Sequence, residues 1–329
     1  MRFAVLGAGG WGTAVARLLA NAGHETTLWA RDPKKAEAIG ATRVNAKYLP
    51  DVTLPRERLT VTSRIEDALD ADALLLAVPS FAVDDLLQRI APLVEAPTLI
   101  NLAKGLDRAT RQTVSERVEA RLPGAKPFAL SGPSHAEEVG RDYPTAVVLA
   151  GKDCDLGATL QRAIATPRFR VYLSEDVRGV ELCAAVKNVI ALATGISDGI
   201  GYGDNSRGAL ITRGLAEMVR FGRALGIKEA TFFGLGGLGD LVATCTSDHS
   251  RNRRVGTRLG RGEPLKSILS EMEMVAEGVH ATGIVRALAQ DHAIEMPITD
   301  AVARLLAEEV DPLTLVEEIM TRSPKREDV

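Results

Sequence analysis

Apolar residues in the first half of the chain gather into short β-branched or aliphatic runs, separated by segments of helical period. Runs at 3–6, 26–29, 59–61, 73–78, 98–102, 128–130 and 146–149 predict strands. Between them, 13–21, 81–90 and 110–121 predict helices, with Pro79, Pro97 and the Pro123-Gly124 pair as punctuation. Strands alternating with helices are the signature of βαβ units, so this half reads as a doubly wound α/β domain with a mostly parallel sheet. Beyond Ser174 the period becomes helical, as in 180–194, 208–225 and 298–309, which predicts a second, all-α domain. Ser174-Glu175-Asp176 offers an N-cap and an acidic first turn at the boundary, giving domains 1–178 and 179–329. The charged tail 321–329 is expected to fray.

Composition narrows the function. The chain has 329 residues, is 46% hydrophobic, and carries 40 Lys and Arg against 43 Asp and Glu for a net charge of −3. Disorder and fibrous repeats are excluded, and the length suits about two domains of roughly 150 residues. So small a net charge sets up no global field for nucleic acid or an anionic membrane, so the expected partner is a small molecule held by a local site. Cys154, Cys183 and Cys245 are odd in number and far apart, which argues against a disulfide framework and fits a reducing, cytoplasmic compartment. The five histidines have no metal-ligand spacing, and no G-x-S-x-G is present, so neither a metal site nor acyl transfer is expected. Arg2 and the apolar run 3–16 mimic a signal peptide, but each of Gly7, Gly9, Gly10 and Gly12 would weaken a helical core segment by about 1 kcal/mol. No other run reaches the roughly 18 apolar residues of a membrane span, so no membrane insertion is expected.

The glycines have a better explanation. Gly7-Ala8-Gly9-Gly10-Trp11-Gly12 reads G-x-G-x-x-G between the first strand and the first helix. In that context Gly7 makes the tight turn, Gly9 lets backbone approach a pyrophosphate, Gly12 lets helix pack on strand, and the helix N-terminus faces the phosphates. The position that usually holds a ribose-binding acid, 19 residues past Gly12, is Arg31, followed by Asp32. A guanidinium there suits a 2′-phosphate and favours NADPH, while Asp32 keeps NADH open.

Ligands of open α/β sheets bind beyond the carboxyl ends of the strands, which singles out Lys104 and the segment Ser131-Gly132-Pro133-Ser134-His135-Ala136-Glu137. Ser134 and Glu137 fit an S-x-x-E capping box, a structural role that is compatible with an anion site. In Leu182-Cys183-Ala184-Ala185-Val186-Lys187-Asn188-Val189-Ile190-Ala191-Leu192-Ala193, Lys187 and Asn188 are the only polar residues of twelve. A helix of this kind is buried nearly all round, so Lys187 either snorkels to one wet edge or is a buried acid/base whose pKa burial lowers. The second glycine cluster, Gly234-Leu235-Gly236-Gly237-Leu238-Gly239, follows a poor strand, so it reads as a flexible turn presenting Asp240 rather than a second dinucleotide site. The basic stretch around Ser250-Arg251-Asn252-Arg253-Arg254 lacks interleaved aromatics, which favours a grip on a small phosphate or carboxylate over a nucleic-acid patch.

Taken together, these motifs resemble the bacterial type of NAD(P)-dependent glycerol-3-phosphate dehydrogenase over nearly the whole chain. The resemblance rests on the first glycine motif, Asn101-Leu102-Ala103-Lys104-Gly105-Leu106, Ser131-Gly132-Pro133-Ser134-His135-Ala136, Val186-Lys187-Asn188-Val189, Gly236-Gly237-Leu238-Gly239-Asp240-Leu241, Ser250-Arg251-Asn252 and Val275-Ala276-Glu277-Gly278. It implies a Rossmann-type domain joined to a helical domain like the C-terminal domain of 6-phosphogluconate dehydrogenase. It also implies interconversion of dihydroxyacetone phosphate and sn-glycerol 3-phosphate, with the product supplying phospholipid synthesis. Carried over by motif, Lys187 is the acid/base, and Lys104 and Asp240 complete a charged catalytic shell. Substrate contacts would come from Lys104, Gly132, Ser134, Lys187, Asn188, Asp240, Thr244, Ser250, Arg251 and Asn252. Cofactor contacts would come from Gly7, Gly9, Gly10, Trp11, Gly12, Arg31, Lys104, Ala136, Arg251, Val275 and Glu277. The resemblance further implies a homodimer. Two other readings stay open: a related dehydrogenase of carboxylate keto or hydroxy acids, such as a 3-hydroxyacid or ketopantoate type, and a noncatalytic NAD(P)H-sensing protein.

Overall fold

Strands covered on both faces need apolar side chains at every position, and β1 (Arg2–Leu6) has them from Phe3 onward. The strands that follow are β2 (Glu25–Trp29), β3 (Val44–Asn45), β4 (Leu49–Thr53), β5 (Leu59–Thr62), β6 (Ala73–Leu76), β7 (Thr98–Asn101), β8 (Lys126–Ser131), β9 (Thr145–Gly151) and β10 (Phe169–Ser174). In this computed structural model, which describes residues 1–272, 275–321, 323 and 326, eight of them form one sheet in the order β10-β9-β8-β7-β6-β1-β2-β5. All neighbouring pairs are parallel except β8 with β9. The stretch β5-β2-β1-β6-β7-β8 is the strand order of a doubly wound dinucleotide-binding sheet, whose order reverses between β1 and β6. Phe3 and Val5 face one buried cluster while Ala4 and Leu6 face the other, so each face of β1 carries its own core.

Several local expectations change. In the antiparallel pair β3 and β4, β3 is only two residues long, and β4 buries Leu49 and Val52 among exposed positions, so neither shows as an apolar run. β10 was missed because it alternates buried Phe169 and Val171 with exposed Arg170 and Tyr172, as an edge strand with one wet face does. The helix expected over 110–121 starts later, at Val114–Arg121, because Thr113 and Glu116 form the capping box that sets its first turn. The Ser134–Glu137 box does not form: the short helix Ala136–Gly140 follows His135, and Ser134 Oγ instead donates to the Gly132 carbonyl at 2.9 Å.

Two compact units partition the contacts, Met1–Asp107 with Gln112–Glu181 and Arg108–Arg111 with Leu182–Val329. The helix Val177–Ile200 runs through the division. Its N-cap is Asp176 rather than Ser174, since Asp176 Oδ1 accepts from Gly179 N at 3.0 Å. By length and mean hydropathy this helix is long and apolar enough to cross a bilayer, but Lys187 and Asn188 interrupt its apolar run and its most apolar stretch is buried within the protein. The tail expected to fray lies largely outside the described residues.

The second unit is helical, and one close junction pairs Val177–Ile200 with Arg251–Gly260. A Cβ on Gly195 would lie 2.1 Å from the Arg253 carbonyl oxygen, one on Gly256 2.2 Å from that of Leu192, and one on Gly260 2.2 Å from that of Ile196. Backbone meets backbone there, so only glycine fits. Elsewhere in the unit, buried Glu217 accepts from Thr299 N at 3.2 Å and Thr299 Oγ1 at 3.1 Å, and so caps the helix Pro297–Leu306. Burial pushes its carboxyl up to about 7 against the opposing pull of these hydrogen bonds.

Two predictions follow from this packing. Gly256→Ala should lower the unfolding free energy by about 1–3 kcal/mol, as overpacking a filled contact does, read from urea melts. The Glu217 carboxyl binds its proton more tightly folded than unfolded, so its contribution is full in acid and is lost as pH rises from its unfolded value of 4.5 through about 7. The melting-temperature difference between wild type and Glu217→Gln should therefore shift against wild type across that window.

Candidate active site

In the first unit, the glycine loop has the shape its spacing predicts. Gly7 has φ +132°, and a Cβ there would lie 2.7 Å from the Ala77 carbonyl, while one on Gly12 would lie 2.0 Å from the Gly7 oxygen. A Cβ on Gly9 would meet nothing within 4 Å, so this side of the loop is open. The helix Gly10–Asn21 begins there without a side-chain cap, leaving N–H groups and the positive end of its dipole to an anion. Trp11 Nε1 is buried with no hydrogen-bond partner, and Ala136 lies close by, its Cβ 3.6 Å from where a Gly10 Cβ would be. A cradle closed by glycine on two sides and open over Gly9 fits a dinucleotide pyrophosphate. Arg31 stands exposed just beyond β2.

Lys104 follows β7, half-buried, and its Nζ donates to the Gly132 carbonyl at 2.9 Å with Ser134 Oγ 3.5 Å away. Gly132 has φ +137°, and a Cβ there would press to 3.0 Å from Val147 Cα. The turn that carries Lys104 is itself anchored, because Asn101 Oδ1 accepts from Ala103 N at 2.8 Å and Asn101 Nδ2 donates to Glu181 Oε1 at 2.6 Å. Glu181 also accepts from Ser115 N, and burial raises its carboxyl to about 7. It was overlooked in the sequence, although a carboxylate at the head of an apolar helical run is a visible signal.

In the second unit, Lys187 is buried at 3% exposure and does not snorkel. Its ammonium meets Asp240 Oδ1 at 2.9 Å and donates to Thr244 Oγ1 at 2.6 Å. Asp240 and Thr244 are one turn apart on the helix Asp240–Thr246, so they share a face, and Thr244 Oγ1 donates back to the Asp240 carbonyl. The glycines before Asp240 form a single π-helical turn, Leu235–Gly239, packed on Phe232 rather than a flexible loop. Beside Lys187, Asn188 Oδ1 accepts from Asn252 Nδ2 at 2.8 Å, and Asn252 Oδ1 accepts from Gly278 N at 2.9 Å. Ser250 caps the helix Arg251–Gly260 through Arg253 N, placing half-buried Arg251 in its first turn. Val275 and Glu277, both half-buried, flank the start of the helix Glu277–Asp291. Lys187, Asn188, Asp240, Thr244 and Asn252 are thus gathered by hydrogen bonds within one unit, as Lys104, Gly132 and Ser134 are in the other.

Comparison with known proteins agrees with both halves. The family model described as NAD-dependent glycerol-3-phosphate dehydrogenase N-terminus matches residues 2–156, and that described as its C-terminus matches 176–317. A glycerol-3-phosphate dehydrogenase [NAD(P)+] of Nitratidesulfovibrio vulgaris is 48% identical, covering 99% of this chain and 100% of its own. The chain belongs to the NAD-dependent glycerol-3-phosphate dehydrogenase family. A relative of the same description from Salinibacter ruber is also 48% identical, over 98% of this chain and 95% of its own. The crystal structure of glycerol-3-phosphate dehydrogenase from Coxiella burnetii superposes with a TM-score of 0.94 at 43% identity, covering 98% of this chain and 99% of that one. The family resemblance read from the motifs is borne out, as is the Rossmann-type domain followed by a helical one.

The ion pair carries its own prediction. Asp240→Ala leaves a buried ammonium unpaired and should cost about 3–5 kcal/mol, whereas Lys187→Met combined with Asp240→Leu should cost less than that single change. Urea unfolding of the three proteins decides it.

Proposed function

We propose that this chain interconverts dihydroxyacetone phosphate and sn-glycerol 3-phosphate using NADPH or NADH. The observation that carries the reading is the buried Lys187 ammonium, held by Asp240 and Thr244 within a largely apolar stretch of its helix, in a chain matched from end to end by this family. Reducing a ketone to an alcohol requires a hydride at carbon and a proton at oxygen. When bound, the nicotinamide supplies the hydride. Lys187 is the proton donor to the substrate oxygen, and in the reverse direction its amine takes the proton back. Asp240 orients the ammonium and favours its charged form, so that a cation is aimed at the oxygen on which negative charge develops.

The remaining polar groups divide the other tasks. Lys104 adds a second cation, and the turn made by Gly132 and Ser134 fixes where its Nζ lies. Asn188, tied to Asn252, offers a positioned amide, and Arg251 with Ser250 and Asn252 recognises the phosphate as a cationic and hydrogen-bonding grip. Gly7, Gly9, Gly10, Trp11 and Gly12 would hold the dinucleotide, with Arg31, Ala136, Val275 and Glu277 contributing further contacts. The further proposals are a cytoplasmic homodimer that supplies glycerol 3-phosphate for phospholipid synthesis.

Oxidation of NADPH and NADH followed at 340 nm should depend on dihydroxyacetone phosphate. Lys187→Met should lower turnover by at least about 100-fold, the usual worth of a positioned acid, while leaving NADPH affinity within about two-fold. Activity on a carboxylate keto acid alone, or no substrate-dependent oxidation in a protein that binds NADPH, would replace this reading with the hydroxyacid or the sensor alternative.

A further inference from the structure

The turn that joins β3 to β4 is stapled to the glycine loop. Asn45 Nδ2 donates to the Ala8 carbonyl at 3.0 Å and to Thr13 Oγ1 at 2.7 Å, and a Cβ on Gly10 would lie 3.0 Å from the Tyr48 carbonyl oxygen. Two lysines converge there. Lys35, near the start of the helix Pro33–Thr42, holds its Nζ 4.1 Å from the centre of the Tyr48 ring, and Lys47 holds its Nζ 5.5 Å from the same point. Lys35 Nζ also donates to the Ala8 carbonyl, inside the G-x-G-x-x-G motif. Burial, followed by repulsion from Lys47, brings the Lys35 ammonium down to about 8. A pair of like charges gathered on one ring beside an anion-binding loop is an arrangement that a bound anion would relieve.

The position on the sheet says which anion. Pyrophosphate is served by the N–H groups of the helix Gly10–Asn21, whereas Lys35 lies in the helix directly after β2, the side on which this fold places the adenosine ribose. The acid available to bind a free 2′-hydroxyl there is Asp32, and its Oδ1 is engaged in capping Pro33–Thr42 through Lys34 N at 2.9 Å. We propose that Lys35 and Lys47, arranged over Tyr48, form a subsite for the 2′-phosphate of NADPH and, together with Arg31, set coenzyme preference. This rests on the dehydrogenase reading above and deepens it. An ammonium pairs with a phosphate dianion through charge-assisted hydrogen bonds, and NADH presents a hydroxyl at that position instead.

Adenosine 2′,5′-bisphosphate and adenosine 5′-monophosphate differ only in the 2′-phosphate, so calorimetric titration of the full chain with both isolates the subsite. The bisphosphate should bind at least about 10-fold more tightly, and Lys35→Met and Lys47→Met should each reduce that ratio several-fold while leaving 5′-monophosphate affinity within about two-fold. Lys35→Arg should retain most of the ratio, and NADPH against NADH should follow the same order in fluorescence titrations. Equal affinity of wild type for the two nucleotides would overturn the proposal, as would variants that weaken both nucleotides alike, the mark of a pyrophosphate or packing role. Lys47 is exposed, so its variant stays readable even if Lys35→Met disturbs folding. These titrations use no substrate, so failure of the reductase reading and failure of the subsite give different results.

Discussion

A buried ammonium has to be neutralised, and in this protein that requirement organises the helical unit. Lys187 lies in a run of buried residues from Leu182 to Leu192, where an unpaired charge would cost several kcal/mol. Its neutralisation requires Asp240 to face it, which sets the rotation of the helix Asp240–Thr246 and brings Thr244 onto the same side. One residue along, Asn188 reaches Asn252, which reaches the Gly278 backbone, so the starts of two more helices are tied to the same edge. A hydrophobic replacement for the ion pair would satisfy packing equally well. Stability alone therefore does not account for its presence in the core.

Precision in both units comes from missing side chains. Gly7 and Gly12 let the first helix start against the chain just beyond β1 and β6, and Gly195, Gly256 and Gly260 let two helices of the second unit meet backbone to backbone. Contacts of this kind fix spacing to within a few tenths of an ångström, because the next larger residue already clashes. Rigid elements positioned in this way are what a charged constellation needs to hold its geometry.

Much was legible along the chain. Apolar runs gave the interior strands, helical period gave the second unit, and local motifs at Gly7 to Gly12, Lys104 and Lys187 marked the chemistry. Where reading failed, a local rule met a stronger non-local contact. Ser134 has the spacing of a capping residue, yet its hydroxyl turns to the Gly132 carbonyl that also receives Lys104, and the helix begins after His135 instead. The cluster at Gly234 to Gly239 suggested flexibility, but packing against Phe232 holds it in a single π-helical turn. β10 escaped notice because an edge strand with one wet face alternates rather than running apolar.

Element type, the division into a nucleotide-binding and a helical half, and membership of a dehydrogenase family are written in spacings of a few residues, where period, turn chemistry and motif act locally. The partners of Lys187 and Asn188 lie 57 and 64 residues away at Thr244 and Asn252, and no local pattern announces them. The same holds for Glu217, whose raised carboxyl follows from burial, and for Lys35 and Lys47, which meet over one ring; Glu181 is visible at the head of its apolar run, but its raised carboxyl also follows from burial. Burial and charge pairing depend on which surfaces the fold brings together, so these groups acquired their chemistry only when the chain had packed.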